Sequence, residues 1–223
     1  MTDYKYDPYT EHKHFAEEIA LIPDPAIAQW TETAVGRASH MFWKIPSSFT
    51  AKYHPEDEFR EGGMALHTQR AFTALLVFMN GLDKFTDKEK SQMMAATLIH
   101  DIGRNNNVGT SHPAAPRIVY AEKFGDRSPF MKMGDPIFRL VETHMGKFTP
   151  HFMKPPENEM EWLVHLADYI VSIRGVYYPT WAELTDNDKN SLDPREPREV
   201  QMAGNTLISE DQGPPLHNTN KPL

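Results

Sequence analysis

Apolar residues along this chain recur at intervals of three and four, and no segment sustains a two-residue alternation. That pattern predicts helices throughout and an all-α fold. Phe15 to Leu21 reads as a short helix stopped by Pro23. Asp24-Pro25 has the form of an N-cap followed by a first helical residue. Ile27, Trp30, Ala34, Ala38, Met41 and Phe42 then keep helical spacing up to Pro46, and residues 47–60 form a charged loop. Gly62-Gly63 opens a helix carried by Met64, Leu66, Ala71, Leu75, Leu76, Phe78 and Met79 to about Asn80, with Gly81 as its stop. Thr86 and Glu89 have the spacing of a capping box. The helix they start passes through Met93, Met94, Ala96 and Leu98 and delivers His100-Asp101, where Gly103 ends it. After a polar loop (104–111), a helix is expected from Pro113 to Phe124 and another from Asp135-Pro136 to His144. A basic loop (146–156) leads to the clearest amphipathic helix, Glu157 to Ile173.

The two ends differ from this core. Residues 1–24 read as an N-terminal arm with one short helix, 25–182 as the main domain, and 183–223 as an extended tail rich in Asp, Asn, Pro, Arg and Glu. Arm or tail is the expected route to any homo-oligomer. Apolar content is 39%, which agrees with part of the chain lying outside a core. No run of about eighteen apolar residues exists, so no membrane-spanning helix is expected. The opening MTDYKYDPYTEHKHF is unlike a signal peptide, and the expected location is cytoplasmic.

Composition narrows the chemistry. There is no cysteine, which excludes disulfides, thiolate metal sites and thiol nucleophiles. Any metal must be held by His, Asp and Glu. The formal charge of −8 is a poor match to a long polyanion such as nucleic acid. A small phosphate ester stays possible, because a divalent ion supplies local positive charge. Eleven histidines is a high number, and six positions stand out: His67, His100-Asp101, His112, His144 and Asp168. Each has an ordinary alternative. His100 and His144 suit helix C-termini, where the dipole favours a cation. His67 suits a hydrogen-bonded core position, and His112 an exposed helix start. Asp168 lies between Leu166, Ala167 and Ile170. A carboxylate buried there needs a positive partner, and no Lys or Arg is obvious by spacing.

Taken in order, His67 … His100-Asp101 … His112 … His144 … Asp168 resembles the HD-domain metal-dependent phosphohydrolase superfamily. The strings "GGMALHT", "LIHDIGR", "VETHMG" and "HLADYI" carry the likeness over about residues 40–175. The resemblance implies a helical bundle in which His67, His100, Asp101 and Asp168 hold one divalent metal. His112 and His144 match the binuclear subgroup, with Asp101 bridging to a second ion. An all-N/O site of this kind suits Fe, Mn, Zn or Co. Where the family often has Lys, this chain has Arg104, which keeps the charge and can contact phosphate with two bonds. The acidic pair that the deoxynucleotidase branch carries after the signature is replaced by RNNNVG.

The expected function is therefore hydrolysis of a phosphate ester or anhydride in a small, nucleotide-like molecule by metal-activated water. By the resemblance, Asp101 would bridge the metals. Arg104, with Lys147 or His151 from the loop after His144, stabilises the phosphoryl group. The segment 53–59 is a candidate lid, with His54 as a substrate contact or a bystander. His165, three residues before Asp168, is expected to support the site and not to ligate; Arg117 and Lys123 are expected at the surface. Three other functions fit the same residues: a diiron oxygenase of the same fold, a 3′–5′ exonuclease, and a non-enzymatic metal-stabilised binding protein.

Overall fold

The N-cap at Asp24 forms as the sequence predicts: its carboxylate accepts from Ala26 and Ile27 N–H at 2.9 and 3.1 Å. The computed structural model describes residues 15–48, 52–82, 84–104, 112–151 and 153–196. Among these, all regular structure is helical and no strand occurs. The helices are α1 (Ala16–Ala20), α2 (Pro25–Val35), α3 (His40–Lys44), α4 (Gly63–Leu82), α5 (Asp87–Ile99), α6 (Ala115–Phe124), α7 (Pro129–Thr143), α8 (Glu159–Val171) and α9 (Asp186–Leu192). Short 3-10 turns at Glu56–Glu58, His112–Ala114, Gly146–Phe148 and Trp181–Glu183 link them. The expected arm at 1–14 and the loop at 105–111 lie outside the described residues, as does the tail beyond 196. No described helix is long and apolar enough to cross a membrane.

Helix α5 is the centre. Met93, Met94, Ala95, Ala96, Leu98 and Ile99 are all buried. This second half of the helix is apolar on nearly every side and must be enclosed, and α2, α4, α7 and α8 pack around α5. Truncating a core residue such as Leu98 to Ala costs roughly 2–5 kcal/mol. The Thr86 capping box forms with both arms in place. Helices α4 and α8 also pack on each other, so His67 and Asp168, one on each, are brought face to face.

Four boundaries differ from the sequence reading. The apolar spacing from Ile27 to Phe42 is broken at 36–39, because the chain tightens after Val35: Arg37 and Ala38 N–H bond to carbonyls three residues back. Helix α4 continues through Gly81 to Leu82, so that glycine is internal. Helix α7 begins six residues before Asp135-Pro136: Ser128 caps it, accepting from Met131 N–H, and Pro129 is its first residue. Pro136 then sits inside α7 on an exposed face, where the Lys132 carbonyl it cannot bond can be hydrated. Finally, the stretch from 185 does not start out extended. Thr185 caps α9 through a capping box, and Arg195 donates back to the Ala20 carbonyl at 2.8 Å.

Candidate metal centre

Four helices end or pass beside one buried point. Helix α5 stops at Ile99, and the turn behind it is closed by Ile102 N–H to Ile99 O and Arg104 N–H to Asp101 O. Gly103 takes φ +105° there, a conformation only glycine adopts easily. His100 and Asp101 are thereby held at the helix end with almost no exposure. Helix α7 ends the same way at His144. His67 comes from the second turn of α4, Asp168 from α8, and His112 from the turn before α6.

Two groups of three result. His67 Nε2 lies 3.0 Å from Asp168 Oδ1, and His100 Nε2 lies 3.7 Å from the same oxygen. His144 Nε2 lies 3.1 Å from His112 Nε2, which in turn touches Asp101 Oδ1. In each group the three ligand-type atoms lie within 4.8 Å of one another. Asp101 joins the groups: Oδ1 faces His112, while Oδ2 is 3.5 Å from His100 Nε2. The imidazoles form a continuous row, His54–His67–His100–His144–His112, with centroid separations of 4.8, 5.5, 5.1 and 4.9 Å.

The tautomers follow from the partners. His100 Nδ1 is 2.7 Å from the Thr97 carbonyl, and His144 Nδ1 is 2.6 Å from the Val141 carbonyl. A carbonyl only accepts, so each Nδ1 carries the hydrogen and a neutral ring presents a lone pair at Nε2. The His100 lone pair then faces carboxylate oxygens of Asp101 and Asp168. It has no hydrogen-bond partner, and Asp101 Oδ1 meets only His112 Nε2. Such atoms are costly to leave unmet in a buried place. A divalent cation meets them all, with the second ring nitrogen already anchored as metal-binding histidines require. The residues therefore fit a metal ion, held by N and O donors only.

The electrostatics agree with that donor set at His144 and the two carboxylates, while His67 must release its Nε2 proton to ligate. Burial pushes the His144 imidazole down to about 3, reinforced by His112 and His100, so it is neutral and free to ligate. Burial opposes charge on Asp101, but His112, His100 and Arg104 hold it well below the usual carboxylate range. Against its burial, the hydrogen bond from His67 does the same for Asp168. His67 itself is pushed down by burial and up by Asp168 and Glu58, and the carboxylates win, raising it to about 10.

Around this centre the other expected residues take distinct places. Arg104 Nη1 reaches Asp101 Oδ2 at 3.3 Å, with its side chain partly open to solvent. Lys147 is exposed, with its ammonium 5.1 Å from the Phe148 ring centroid. His151 is also exposed, in the segment that follows. His165 is a support, as expected: its Nδ1 donates to the His144 carbonyl at 2.6 Å. Arg117 pairs with Asp135 and Glu142 outside the centre, and Lys123 donates to the Arg37 carbonyl. Two neighbours escaped the sequence reading. Glu58 is fully buried and faces both His54 and His67, and Arg70, buried with it, pairs with Glu58 and Asp57. The one signal for Glu58 was its place four residues after His54, just ahead of the glycine pair.

Comparison with protein-family models, curated proteins and solved structures finds no match to this chain.

Proposed function

We propose that this chain is a metal-dependent phosphohydrolase of the HD type, acting on a nucleotide-like phosphate ester or anhydride. One observation carries the reading: six residues spread from position 67 to 168 converge into two adjoining N/O triads that meet at Asp101. This supports a site for two ions, the first on His67, His100 and Asp168, the second on His112 and His144, with one Asp101 oxygen toward each. Bound ions of the Fe, Mn, Zn or Co kind would supply an activated water and the charge that offsets a developing phosphorane.

The protein groups do the rest. Arg104 sits against Asp101 with its guanidinium partly open to solvent, where it can grip a phosphoryl oxygen. Lys147 and His151, exposed in the segment after His144, are the next cations in chain order for the same task. Asp101, with one carboxylate oxygen toward each half, would fix their spacing when ions are bound. The acidic net charge favours a small substrate over a long nucleic acid.

The test is metal analysis of the purified protein, then a nucleotide panel read for phosphate release with and without dioxygen. Phosphate release that persists anaerobically, is abolished by chelation and returns on metal addition supports the proposal. Turnover that consumes dioxygen overturns it in favour of an oxygenase. Digestion of oligonucleotides in preference to nucleotides overturns it in favour of an exonuclease. Loss of the fold on metal removal, with no ester ever turned over, leaves a metal-stabilised binding protein.

A further inference from the structure

Among the three helix-borne imidazoles of the centre, His67 lacks the anchor that the other two have. His100 and His144 stand at helix C-termini, where carbonyls are free to accept Nδ1–H. His67 stands inside α4, where carbonyls are already bonded along the helix; the Met64 carbonyl accepts a further bond from Thr68 Oγ1. Its Nδ1 is buried and makes no hydrogen bond of good geometry. Yet its Nε2 faces Asp168, so a ring that ligates through Nε2 must carry its hydrogen on Nδ1. The acceptor in reach is Glu58 Oε2, at 3.4 Å.

Glu58 is built into place. Its other oxygen, Oε1, accepts from Arg70 Nη1 at 2.9 Å. Arg70, itself buried, is clamped in two bonds by Asp57 at 2.9 and 2.5 Å. The Glu58 carbonyl accepts Ser47 N–H at 3.1 Å, and its main chain lies so close to Gly63 that a Cβ there would overlap it. His54 adds an Nδ1 contact to Oε2 at 3.0 Å, and its own N–H reaches the Ser172 carbonyl beside α8. The segment 53–59 is thus fastened as a wall of the centre.

We infer that Glu58 is a positioning residue for the metal centre: it accepts Nδ1–H of His67 and so aims Nε2 at the ion, while Arg70 and Asp57 hold the carboxylate. The inference rests on the metal-centre reading above. His54, Glu58 and His67 could instead be a third cation site, since their donor atoms also cluster. Arg70 argues against that. It already supplies a full positive charge at 2.9 Å from the carboxylate, and a second cation there would be repelled. A metal on both His67 nitrogens would also require the ring to lose both hydrogens.

The experiment is Mn²⁺ titration by calorimetry, with thermal unfolding in parallel, on the full chain and four variants. E58Q is informative because glutamine has one carbonyl oxygen: it can serve Arg70 or His67, not both. Expected is Mn²⁺ binding weakened about 10–100-fold in E58A, the usual range for losing such a partner, with E58Q between E58A and wild type. D57N loosens the outer clamp of Arg70 while leaving the Glu58 carboxylate beside His67; it should lower the unfolding midpoint and weaken Mn²⁺ binding less than E58A does. H67A should lose the first ion. Should E58A not fold, E58Q decides. Wild-type Mn²⁺ affinity in E58Q while H67A loses binding overturns the role of Glu58. Unchanged binding in H67A as well, or none in wild type, overturns the metal centre and the Glu58 inference with it. An extra equivalent of Mn²⁺ that disappears only in E58A and E58Q replaces the positioning role with a third site.

Discussion

His100 and His144 hold their rings in the same way although they end different helices: each donates Nδ1–H to the carbonyl three residues back, at 2.7 Å to Thr97 and 2.6 Å to Val141. The helix terminus supplies the free carbonyl. The ring is fixed before any ligand arrives, with its Nε2 lone pair turned inward. A helix end thus presents a nitrogen donor already set in direction.

His100→Ala or Asp101→Ala should abolish metal binding and any activity that depends on it. Each removes a donor that no buried neighbour replaces, and Asp101 serves both groups. Metal content of the purified variants by mass spectrometry checks this, with circular dichroism to confirm the fold. Full metal content in both would sink the assignment.

Arg104→Ala should leave metal content unchanged and lower catalytic efficiency. The side chain touches Asp101 through one hydrogen bond at 3.3 Å and points partly to solvent, so its loss leaves the buried donors in place. A charge contact to phosphate is commonly worth about 1.5–3 kcal/mol, or roughly 10–150-fold. Steady-state kinetics on the best substrate of the nucleotide panel, beside metal analysis, reads both halves of the expectation.

Gly146→Ala should destabilise the protein and displace His165. Gly146 has φ +55°, and a Cβ at this position would run into the His165 ring. That ring steadies the His144 carbonyl, so the damage extends to the centre. The backbone strain alone is worth roughly 1–3 kcal/mol. Chemical denaturation measures the loss, and a metal affinity unchanged from wild type would show that His165 is not needed to hold His144.

Stability at low pH should depend on Glu58. His54, His67 and Arg70 overcome the effect of burial and bring its carboxyl down from 4.5 to about 2. In the unfolded chain the group protonates near its ordinary value. Its contribution is therefore complete above about pH 4.5 and is lost as the pH falls through about 2. With its side chain fully buried, the amount is on the order of 3 kcal/mol. Unfolding midpoints of wild type and Glu58→Gln in chelator, from pH 6 to pH 2, test it: the two curves should converge as the medium becomes acidic. A constant gap would show that another group carries the dependence.

The helical class was legible because the apolar spacing is nearly unbroken and the caps at Asp24 and Thr86 are strong local signals. The start of α7 was misread because Asp-Pro is a common opening pair, while the true cap at Ser128 is followed by its own proline. Local chemistry offers two equally good starts, and tertiary packing chooses. In the centre, the six residues that come together were legible as an ordered set. Glu58 and Arg70 were not, because their partnership spans a loop and joins two charged residues that usually lie at the surface. Nothing along the chain marks such a pair as buried.

His67 and Asp168 stand 101 positions apart and meet at 3.0 Å. An ion shared by them would close the intervening chain into a loop, in a protein with no cysteine to do so by a disulfide. In the chain-entropy account, a cross-link over about a hundred residues restricts the unfolded ensemble by about 4–5 kcal/mol. The same bond that readies the centre for chemistry would then act as a clasp on the bundle, and the rate at which metal escapes would report how often α4 and α8 part.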